Sequence, residues 1–411
     1  MTQNILIIGN HCCSNRGDAA ILRGLLEYLG SNYPDAAITT TTRYLDAAQY
    51  IIPNQHFITD QLFGAQFEGS RVSKAIKNRL FTHIGLPRFA CNQGLSFATN
   101  AHREFASFVQ QFDLVIQVGG SFFVDLYGIK QYEAPLIVKG LGIPYVIIGH
   151  SVGPFQSSNI KQLARASFDG VPILLREQVS LQHFNQLDVK QANVIDSADT
   201  AWLVTPRTTN LPKVVLDFVA KPTVAITLRD LKPFDVRLGI TQKQFEDKIM
   251  TMCNSLSNLG YQIIAVSTCT GLDGYHKDDR MVALNVQRKL KNQHMFMVVM
   301  DELNDVELGH LLSKCQLTIG TRLHSAIISM NFGTPAYAIA YEHKSEGILN
   351  QMQLADFSID IHDIDAPSTF DKLQSTLSSI ETTKSDLAEK VMAEKQRACS
   401  SIEYVLQPIL N

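Results

Sequence analysis

Short apolar runs alternate with amphipathic segments along most of this chain. Residues 4–9 (NILIIG) are a nearly unbroken apolar run ending in glycine, which is typical of a strand buried on both faces. After a polar loop, residues 18–29 carry apolar side chains at helical spacing. The strand-then-loop order recurs at 112–128, 143–155 and 172–180. This repetition predicts a β/α array with a mainly parallel sheet.

The alternation is interrupted once and then starts again. Residues 206–222 hold three prolines and no clean periodicity, so we expect an interdomain linker there. A chain of 411 residues is also too long for one hydrophobic core. The pattern therefore predicts a domain at 1–205, a second β/α domain at 223–365, and mostly polar helices at 366–411.

Composition narrows the function classes. The apolar fraction of 45% and charged fraction of 18% are those of a globular protein, and the net charge of −3 gives no reason to expect a nucleic-acid partner. The seven cysteines lack metal-ligand spacing, so we expect reduced thiols and no metal. We find no signal-peptide pattern and no apolar run near the ~20 residues of a membrane span. A cytoplasmic protein, at most peripheral to a membrane, is expected.

The strongest chemical signal is the stretch LTIGTRLHS, residues 317–325. It reads as a strand end followed by a turn that carries Arg322 and His324 into a helix. Helix-terminal amides and a fixed cation can face the same anion at such a turn. Arg229 ends an earlier strand of the same predicted domain. Two arginines suit a small substrate with both carboxylate and phosphate groups, and His324 can exchange a proton near neutral pH. The same Arg-x-His arrangement also occurs in purely structural settings.

Strand ends in the first domain carry hydroxyl-binding candidates. The first loop holds Asn15, Arg16 and Asp18, which suit a hydroxyl-bearing acceptor or, alternatively, only cap the following helix. The turn at 119–121 (Gly119, Gly120 and Ser121) lets the backbone approach a ligand closely.

Two titratable residues follow strands of that domain. Asp125 is a candidate general base or hydroxyl acceptor, with helix capping as the alternative. His150 would share its sheet edge, although a histidine after a strand is more often hydrogen-bonded in the core.

A separate basic segment spans residues 71–89. It holds Arg71, Lys74, Lys77, Arg79 and Arg88 and no acid, with apolar residues roughly on one helical face. A basic amphipathic helix can lie on an anionic membrane surface. The alternative is a solvated helix packed on its domain.

Several motifs together resemble one family. GNHCCSNRGDAAILRGL, QVGGSFFVDLYG, GHSVGPF, ITLRDLKPFDVRLG, STCTGLDGYHKDDRMVALN, MDELND and GTRLHSAIISMNFGTPA are similar to the polysaccharide pyruvyl transferase family. The resemblance covers nearly the whole chain and is weakest in 45–105, in the linker and in the C-terminal helices. It implies an α/β fold with two Rossmann-like domains facing a cleft, similar to GT-B glycosyltransferases.

The resemblance also implies a reaction. Phosphoenolpyruvate would donate its pyruvate unit to a terminal hexose, galactose in colanic acid, on a lipid-linked repeat unit at the inner membrane. The product would be a 4,6-ketal, with release of phosphate, in colanic acid-type exopolysaccharide biosynthesis. Phosphoenolpyruvate is then a substrate, and no cofactor is expected.

Residue roles follow by matching positions. The family's donor-binding Arg-Leu-His element corresponds to Arg322, Leu323 and His324, with Gly320, Thr321 and Ser325 around it, and Arg229 matches a further donor-binding arginine. We expect His324 to be the general acid, and Asp125, with His150, to take the hydroxyl proton. The direction of the two proton transfers stays open, and His150 stands where many relatives have glutamine.

Two other functions are consistent with the residues. A GT-B-type glycosyltransferase would bind a nucleotide sugar. A non-catalytic sugar- or phosphate-binding scaffold would bind ligand without releasing phosphate, but the many polar strand ends argue against it.

Overall fold

The computed structural model describes residues 3–89, 94–232, 235–340 and 343–410, with only the backbone at 343–346. The chain so described divides into two compact units. Unit 1 comprises Met1–Cys12, Leu25–Leu203 and Gln396–Asn411. Unit 2 comprises Cys13–Gly24 and Val204–Lys395.

Unit 1 is built on a parallel sheet. Its strands are β1 (Asn4–Asn10), β2 (Ala37–Thr42), β3 (His56–Thr59), β4 (Leu114–Gln117), β5 (Gly120–Phe123), β6 (Tyr145–Val152), β7 (Pro172–Leu175) and β8 (Asn193–Asp196). The strand order is β3-β2-β1-β4-β6-β7-β8, with β5 paired to β6. The order reverses between β1 and β4, so this is the topological switch point of the sheet.

Helices connect these strands. They are α1 (Arg16–Asn32), α2 (Leu45–Ile51), α3 (Arg71–Leu80), α4 (Leu86–Phe89), α5 (Asn100–Val109), α6 (Glu133–Gly140), α7 (Ser158–Phe168) and α8 (Gln178–Asn185). A single π turn, Phe81–Gly85, joins α3 to α4. The core of the unit packs α5, α6 and α7 against the central strands, and β6 is buried along its whole length. This burial explains the continuous apolar runs seen in the sequence.

Unit 2 repeats the architecture. Its strands are β9 (Thr223–Thr227), β10 (Gln262–Val266), β11 (Phe296–Val298), β12 (Leu317–Gly320), β13 (Ala336–Ala340) and β14 (Ser358–Asp360). All pairs are parallel, in the order β11-β10-β9-β12-β13-β14. Counted within the unit this is 3-2-1-4-5-6, the doubly wound Rossmann order, with its switch point between β9 and β12.

Helices connect and follow the strands of unit 2. They are α9 (Lys213–Val219), α10 (Asp235–Leu238), α11 (Gln242–Asn258), α12 (Asp279–Gln287), α13 (Asp305–Leu312), α14 (Leu323–Asn331), α15 (His343–Gln351), α16 (Pro367–Ser378) and α17 (Ile380–Leu410), which continues into unit 1 from Gln396 onward. Capping boxes at Thr241 and Asn304 start α11 and α13. No helix in the described ranges is long and apolar enough to cross a membrane.

The described cysteines are all free thiols. Cys12, Cys13, Cys253, Cys269 and Cys315 are buried, and Cys399 is half-buried. Cys91 lies outside the described residues.

The two sheets confirm the prediction of two Rossmann-like α/β domains. The compact units nevertheless differ from the predicted domain boundaries. Residues 13–24, expected in the first domain, belong to unit 2, and residues 396–411 belong to unit 1. The predicted linker at 206–222 also contains the helix α9.

Long-range hydrogen bonds explain both differences. The backbone N–H of Arg16 donates to the carbonyl of Thr268 at 2.7 Å, and that of Thr270 donates to the carbonyl of Ser14 at 3.1 Å. In unit 1, Arg397 Nε donates to the carbonyl of Ser197 at 2.9 Å. Contacts between residues so far apart in the chain leave no trace in local periodicity.

Candidate active site

The predicted donor-binding arginines follow neighbouring strands of unit 2. In the parallel pair of β9 and β12, Thr227 is aligned with Gly320. Arg229 and Arg322 each come two residues after these aligned positions. Both therefore lie at the carboxyl ends of the strands that flank the switch point, where open α/β sheets bind ligands.

The turn after β12 is held by buried hydroxyl groups. Thr321 donates to the carbonyl of Thr227 from both its N–H (3.1 Å) and its Oγ1 (2.7 Å). Ser325 Oγ donates to the carbonyl of Arg322 at 2.5 Å and accepts from Thr227 Oγ1 at 2.8 Å. A Cβ at Gly320 would lie 2.1 Å from Ser325 Oγ, so any other residue there would displace the Ser325 hydroxyl from its hydrogen bonds. These residues build the turn that presents Arg322 and His324.

Arg322 is oriented by an acid that the sequence analysis did not single out. Its Nε and Nη2 donate to Oδ2 and Oδ1 of Asp279, each at 2.9 Å. Asp279 is the first residue of α12 and is buried, and its Oδ2 also accepts from the backbone N–H of Cys269 at 3.0 Å. The only signal in the sequence was an acid at a helix start soon after β10.

Arg229 lies in the loop that follows β9. Its side chain is buried, and its Nε donates to the carbonyl of Asp230 at 3.2 Å. Gln242, at the start of α11, braces this loop by accepting from the N–H of Leu231 at 2.9 Å. The second cation of the predicted pair thus has a defined position beside the first strand of the unit.

Arg16 has a structural role that differs from its predicted acceptor binding. The side chain is completely buried. Its five N–H groups face protein acceptors: Leu303 O, Cys13 O, Ser14 O, Thr270 Oγ1 and Glu302 Oε1. The guanidinium therefore links the first loop of the chain to two later loops of unit 2. All five of its N–H groups are used in these contacts, so none is available to bind a substrate hydroxyl.

The same loop seats the imidazole of His324. A Cβ at Gly17 would lie 2.7 Å from both Cγ and Nδ1 of His324, so the ring rests directly on the backbone of α1. The N–H of Gly17 donates to Asn15 Oδ1 at 3.0 Å, which fixes the turn. Asn15 and His324 are both half-buried. The structure thus brings a residue of the first loop to the predicted proton donor.

Asp18, in the first turn of α1, lies close to Tyr275 and Cys269. Burial raises the pKa of the Tyr275 hydroxyl well above its ordinary value, and the nearby charge of Asp18 raises it further. Burial also raises the pKa of the Cys269 thiol to about 12, so the thiol is neutral at physiological pH. Asp18 is a half-buried carboxylate of unit 2, and both Asp18 and Arg322 are close enough to Cys269 and Tyr275 to influence their titration.

The predicted residues of unit 1 form a separate group. Gly120 is aligned with His150 in the β5–β6 pair. Asp125 follows β5, and its Oδ2 accepts from the backbone N–H groups of Gln156 (3.1 Å) and Ser157 (2.7 Å) just before α7. Gly119 and Ser121 flank the start of β5. Asp125 thereby anchors the start of a helix, which was the structural alternative for this residue.

His150 is completely buried. Its Nδ1 lies 2.7 Å from the carbonyl oxygen of Ser151, and its ring packs 4.7 Å from that of Phe123, centre to centre. Ser151 Oγ accepts from Arg176 Nε at 2.8 Å, and Arg176 is paired with Asp199 at 2.5 Å. The surroundings of His150 are those of a core histidine beside a buried polar network.

A family model matches most of this chain. The model described as polysaccharide pyruvyl transferase matches residues 15–343. This chain belongs to the polysaccharide pyruvyl transferase family. The match confirms the predicted family and its assignment as a transferase. The chain is also 42% identical, over 402 residues, to the amylovoran biosynthesis protein AmsJ of Erwinia amylovora, covering 95% of this chain and 96% of the relative.

Solved structures agree on the fold. A glycosyltransferase from Rickettsia africae matches with a TM-score of 0.59 at 9% identity, covering 100% of this chain and 99% of its own. A UDP-GlcNAc 2-epimerase from Neisseria meningitidis matches with a TM-score of 0.58 at 11% identity, covering 99% and 100%. At such identities the likeness concerns the fold alone. It confirms the predicted similarity of this pyruvyl transferase to GT-B glycosyltransferases.

The family match begins at Asn15, inside the loop that joins unit 2. The pyruvyl transferase therefore gathers Asn15, Gly17 and Asp18 from its first loop with Arg322 and His324 from near the end of the matched region. This group places the cation of Arg322, the imidazole of His324 and the carboxylate of Asp18 within one compact unit.

Proposed function

We propose that this pyruvyl transferase moves the pyruvate unit of phosphoenolpyruvate onto a terminal hexose, with galactose as the sugar, on a lipid-linked exopolysaccharide repeat unit. The product is the 4,6-ketal, and phosphate is released. The observation that carries the proposal is the pair of arginines on neighbouring strand ends, with His324 in the first turn of the next helix. The similarity to an amylovoran biosynthesis protein supports a role in exopolysaccharide biosynthesis, and we extend it to a colanic acid-type polymer.

Phosphoenolpyruvate is a small substrate with two anionic groups. Arginine forks match carboxylate and phosphate oxygens, and the N-terminus of α14 favours negative charge. Arg322 and Arg229 would each hold one of these groups. Asp279 fixes the plane of Arg322 and so sets the direction from which an anion is bound.

The chemistry requires a proton donor at the methylene carbon. His324 would protonate C3 of phosphoenolpyruvate, which makes C2 an oxocarbenium-like centre. One sugar hydroxyl then attacks C2 and loses its proton. The C2–O bond to phosphate breaks, and the second hydroxyl adds to C2 and loses its proton, which closes the ketal. Of the two protons lost by the sugar hydroxyls, one replaces the proton given to C3 and the other leaves with the phosphate, so the transfer needs no redox partner.

The hydroxyl protons need an acceptor. Asp125 stays the prediction made from the sequence, although its carboxylate also accepts two backbone hydrogen bonds before α7. We favour Asp18 for this role because it lies in the same compact unit as Arg322 and next to Gly17, on which His324 rests. Asn15 would assist by binding the acceptor. His150 is buried in the core, so we assign it a structural role at the sheet edge of unit 1.

We further propose that the enzyme works in the cytoplasm, at the inner membrane surface that holds its lipid-linked acceptor. The helix α3 has no buried residue, and Val72 (69% exposed) and Ile76 (55% exposed) face solvent among its basic side chains. An exposed helix with apolar and basic side chains is suited to an anionic lipid surface. A helix that only covered the domain would bury its apolar side chains.

Mass spectrometry of the acceptor provides the direct test. Purified enzyme is incubated with phosphoenolpyruvate and a galactose-terminated oligosaccharide, and phosphate release is followed in parallel. We expect a pyruvate ketal on the sugar and one phosphate per ketal. His324→Ala should abolish both signals, whereas His294→Ala, at an exposed position of unit 2, should not.

Glycosyltransferase activity is the competing outcome. Thermal-shift measurements compare phosphoenolpyruvate with a nucleoside diphosphate as stabilising ligand. Stabilisation by the nucleotide, together with absence of ketal from a folded wild-type enzyme, would reject pyruvyl transfer.

A further inference from the structure

Unit 1 contains a cavity at its own switch point. The cavity measures about 390 Å³ and is lined by residues of unit 1 only. Its floor comes from the carboxyl ends of β1 and β4, through Gly9 and Gln117, and from Thr41 of β2. Parallel sheets bind ligands at this position, and the volume falls within the range of small-molecule sites. None of the site residues identified above lines this cavity.

The floor of the cavity presents a buried amide. Gln117 is 5% exposed, and its Nε2 lies 1.7 Å from where a Cβ of Gly9 would be, so the side chain lies across the glycine. In the part of the chain that the structure describes, this amide makes no hydrogen bond to another protein group. A buried amide that lines a cavity without a protein partner is ready for a ligand that both donates and accepts hydrogen bonds.

The charged side chains that line the cavity are Arg43, Asp60 and Lys130, and each has a partner within the protein. Arg43 Nε lies 3.6 Å from Asp60 Oδ2, and Arg43 Nη2 donates to Gln131 Oε1 at 3.4 Å. Lys130, which also lines the cavity, donates to the carbonyl of Ala65 at 3.1 Å. Pairing of Arg43 with an acid reduces the attraction for anions and favours an uncharged ligand with several hydroxyl groups.

Aromatic side chains that are partly exposed to solvent also line the cavity. Phe63 is 46% exposed and Tyr127 is 44% exposed, although both line the cavity. The guanidinium of Arg43 lies 4.9 Å from the centre of the Phe63 ring, and Phe122 packs edge-on against Tyr127 at 5.6 Å. Exposed aromatic rings beside planar polar groups suit a pyranose, whose C–H face packs on rings while its hydroxyls reach amide, guanidinium and carboxylate.

We propose that this cavity binds a pyranose ring of the acceptor oligosaccharide. That the bound sugar belongs to the acceptor rests on the proposed function. That the cavity binds a pyranose is argued from the cavity itself. Gln117 and the Arg43–Asp60 pair bind hydroxyl groups, and Phe63 and Tyr127 pack on the ring. The cavity thereby selects the saccharide, while unit 2 binds the donor.

Two kinds of variant test this role. Gln117→Leu keeps the volume of the side chain and removes the amide, and Tyr127→Ala removes an exposed ring. Tyr50→Ala is the matched control, because Tyr50 is a 61% exposed aromatic of unit 1 that does not line the cavity. With lactose as the galactose-terminated probe, we expect KM for lactose to rise about fivefold in each cavity variant. This is the loss expected for one neutral hydrogen bond in Gln117→Leu and for one aromatic packing contact in Tyr127→Ala. KM for phosphoenolpyruvate should be unchanged, and Tyr50→Ala should match the wild type.

Direct binding separates this inference from the proposed function. Saturation-transfer NMR of lactose with the full chain should show contact in the wild type and in Tyr50→Ala, and a weaker signal in both cavity variants. Wild-type enzyme that transfers pyruvate while the cavity variants keep normal KM for lactose would overturn the cavity and leave the function standing. Lactose binding lost in Gln117→Leu, without transfer by the wild type, would reject the function and retain the cavity. A wild type that neither binds nor modifies lactose, or preferential binding of inorganic phosphate in the cavity, would overturn the inference.

Discussion

Arg322 and Asp279 form a two-pronged ion pair in unit 2. The Nε and Nη2 atoms of the arginine each lie 2.9 Å from a different carboxylate oxygen. The acid is buried and is itself held by the N–H of Cys269 at 3.0 Å. The plane of the guanidinium is thus held by the protein, which reduces the ordering cost of binding an anion.

This pair predicts the behaviour of Arg322→Lys. A lysine keeps the charge but cannot reproduce two parallel hydrogen bonds to Asp279 or a bidentate contact with an anion. We expect kcat/KM for phosphoenolpyruvate to fall about 10- to 100-fold, as for the loss of charge-assisted hydrogen bonds. Arg288→Lys, at an exposed position after α12, is the control. Equal kinetics in the two variants would argue against donor binding by Arg322.

Gly17→Ala tests the seating of His324. The added methyl group would lie 2.7 Å from Cγ and Nδ1 of the imidazole, so the ring has to move. Since a displacement of about 1 Å can cost about 10²-fold in rate, we expect a fall of this order in kcat with the fold retained. Gly30→Ala, in the same helix, meets no atom within 4 Å and should leave kcat unchanged. Circular dichroism and kcat are measured on both variants, and matching kcat values would refute the seating role.

Asp18→Asn and Asp125→Asn separate the two candidate proton acceptors. Asparagine retains an oxygen that can accept hydrogen bonds but cannot take a proton. We expect Asp18→Asn to lower kcat by about 10²-fold or more, the usual contribution of a general base. Asp125→Asn should still accept the N–H groups of Gln156 and Ser157 and keep most of its activity. A larger loss in the second variant would return the role to Asp125.

His11 predicts an acid dependence of stability. Burial, with the charge of Arg43 second, lowers the pKa of this imidazole from 6.5 to about 4. As the pH falls below 6.5, His11 therefore becomes protonated in the unfolded chain but stays neutral in the folded chain. The contribution of His11 to stability is complete above about pH 6.5 and decreases down to about pH 4.

Urea unfolding of the wild type and of His11→Gln provides the measurement. Between pH 7 and pH 4.5 the wild type should lose on the order of 2 kcal/mol relative to the variant, which has no imidazole to protonate. His294→Gln, at an exposed site, should follow the wild type. Parallel pH profiles for the wild type and His11→Gln would show that the pKa of His11 is not lowered on folding.

Charge reversal on α3 tests the membrane surface. Lys74→Glu combined with Lys77→Glu removes the attraction of the helix for anionic lipid, whose effect is about 1 kcal/mol per basic residue. We expect co-sedimentation with anionic liposomes to drop in this variant and to persist in Lys190→Glu combined with Lys221→Glu, which are exposed elsewhere. Equal sedimentation of the two variants would show that α3 is only a solvated helix.

The local sequence pattern was sufficient to predict the β/α architecture and part of the candidate site. Parallel strands buried on both faces leave continuous apolar runs, and helices leave a period of 3.6, so two β/α domains could be predicted from the pattern. Their Rossmann-like form was implied by the family resemblance. Because every β/α unit places its strand end at the same edge of a sheet, Arg229, Arg322 and His324 could also be assigned to one edge from sequence alone. These inferences depend on neighbours within about one strand and one helix.

Tertiary structure decided how distant segments combine. The pairing of Arg16 with Glu302, the packing of Gly17 against His324 and the attachment of residues 13–24 to unit 2 join positions hundreds of residues apart. The position of Gln117 across Gly9 likewise results from the pairing of β1 with β4. Sequence periodicity reports which face of an element is buried, but not what it is buried against, so these partners became known only from the folded chain.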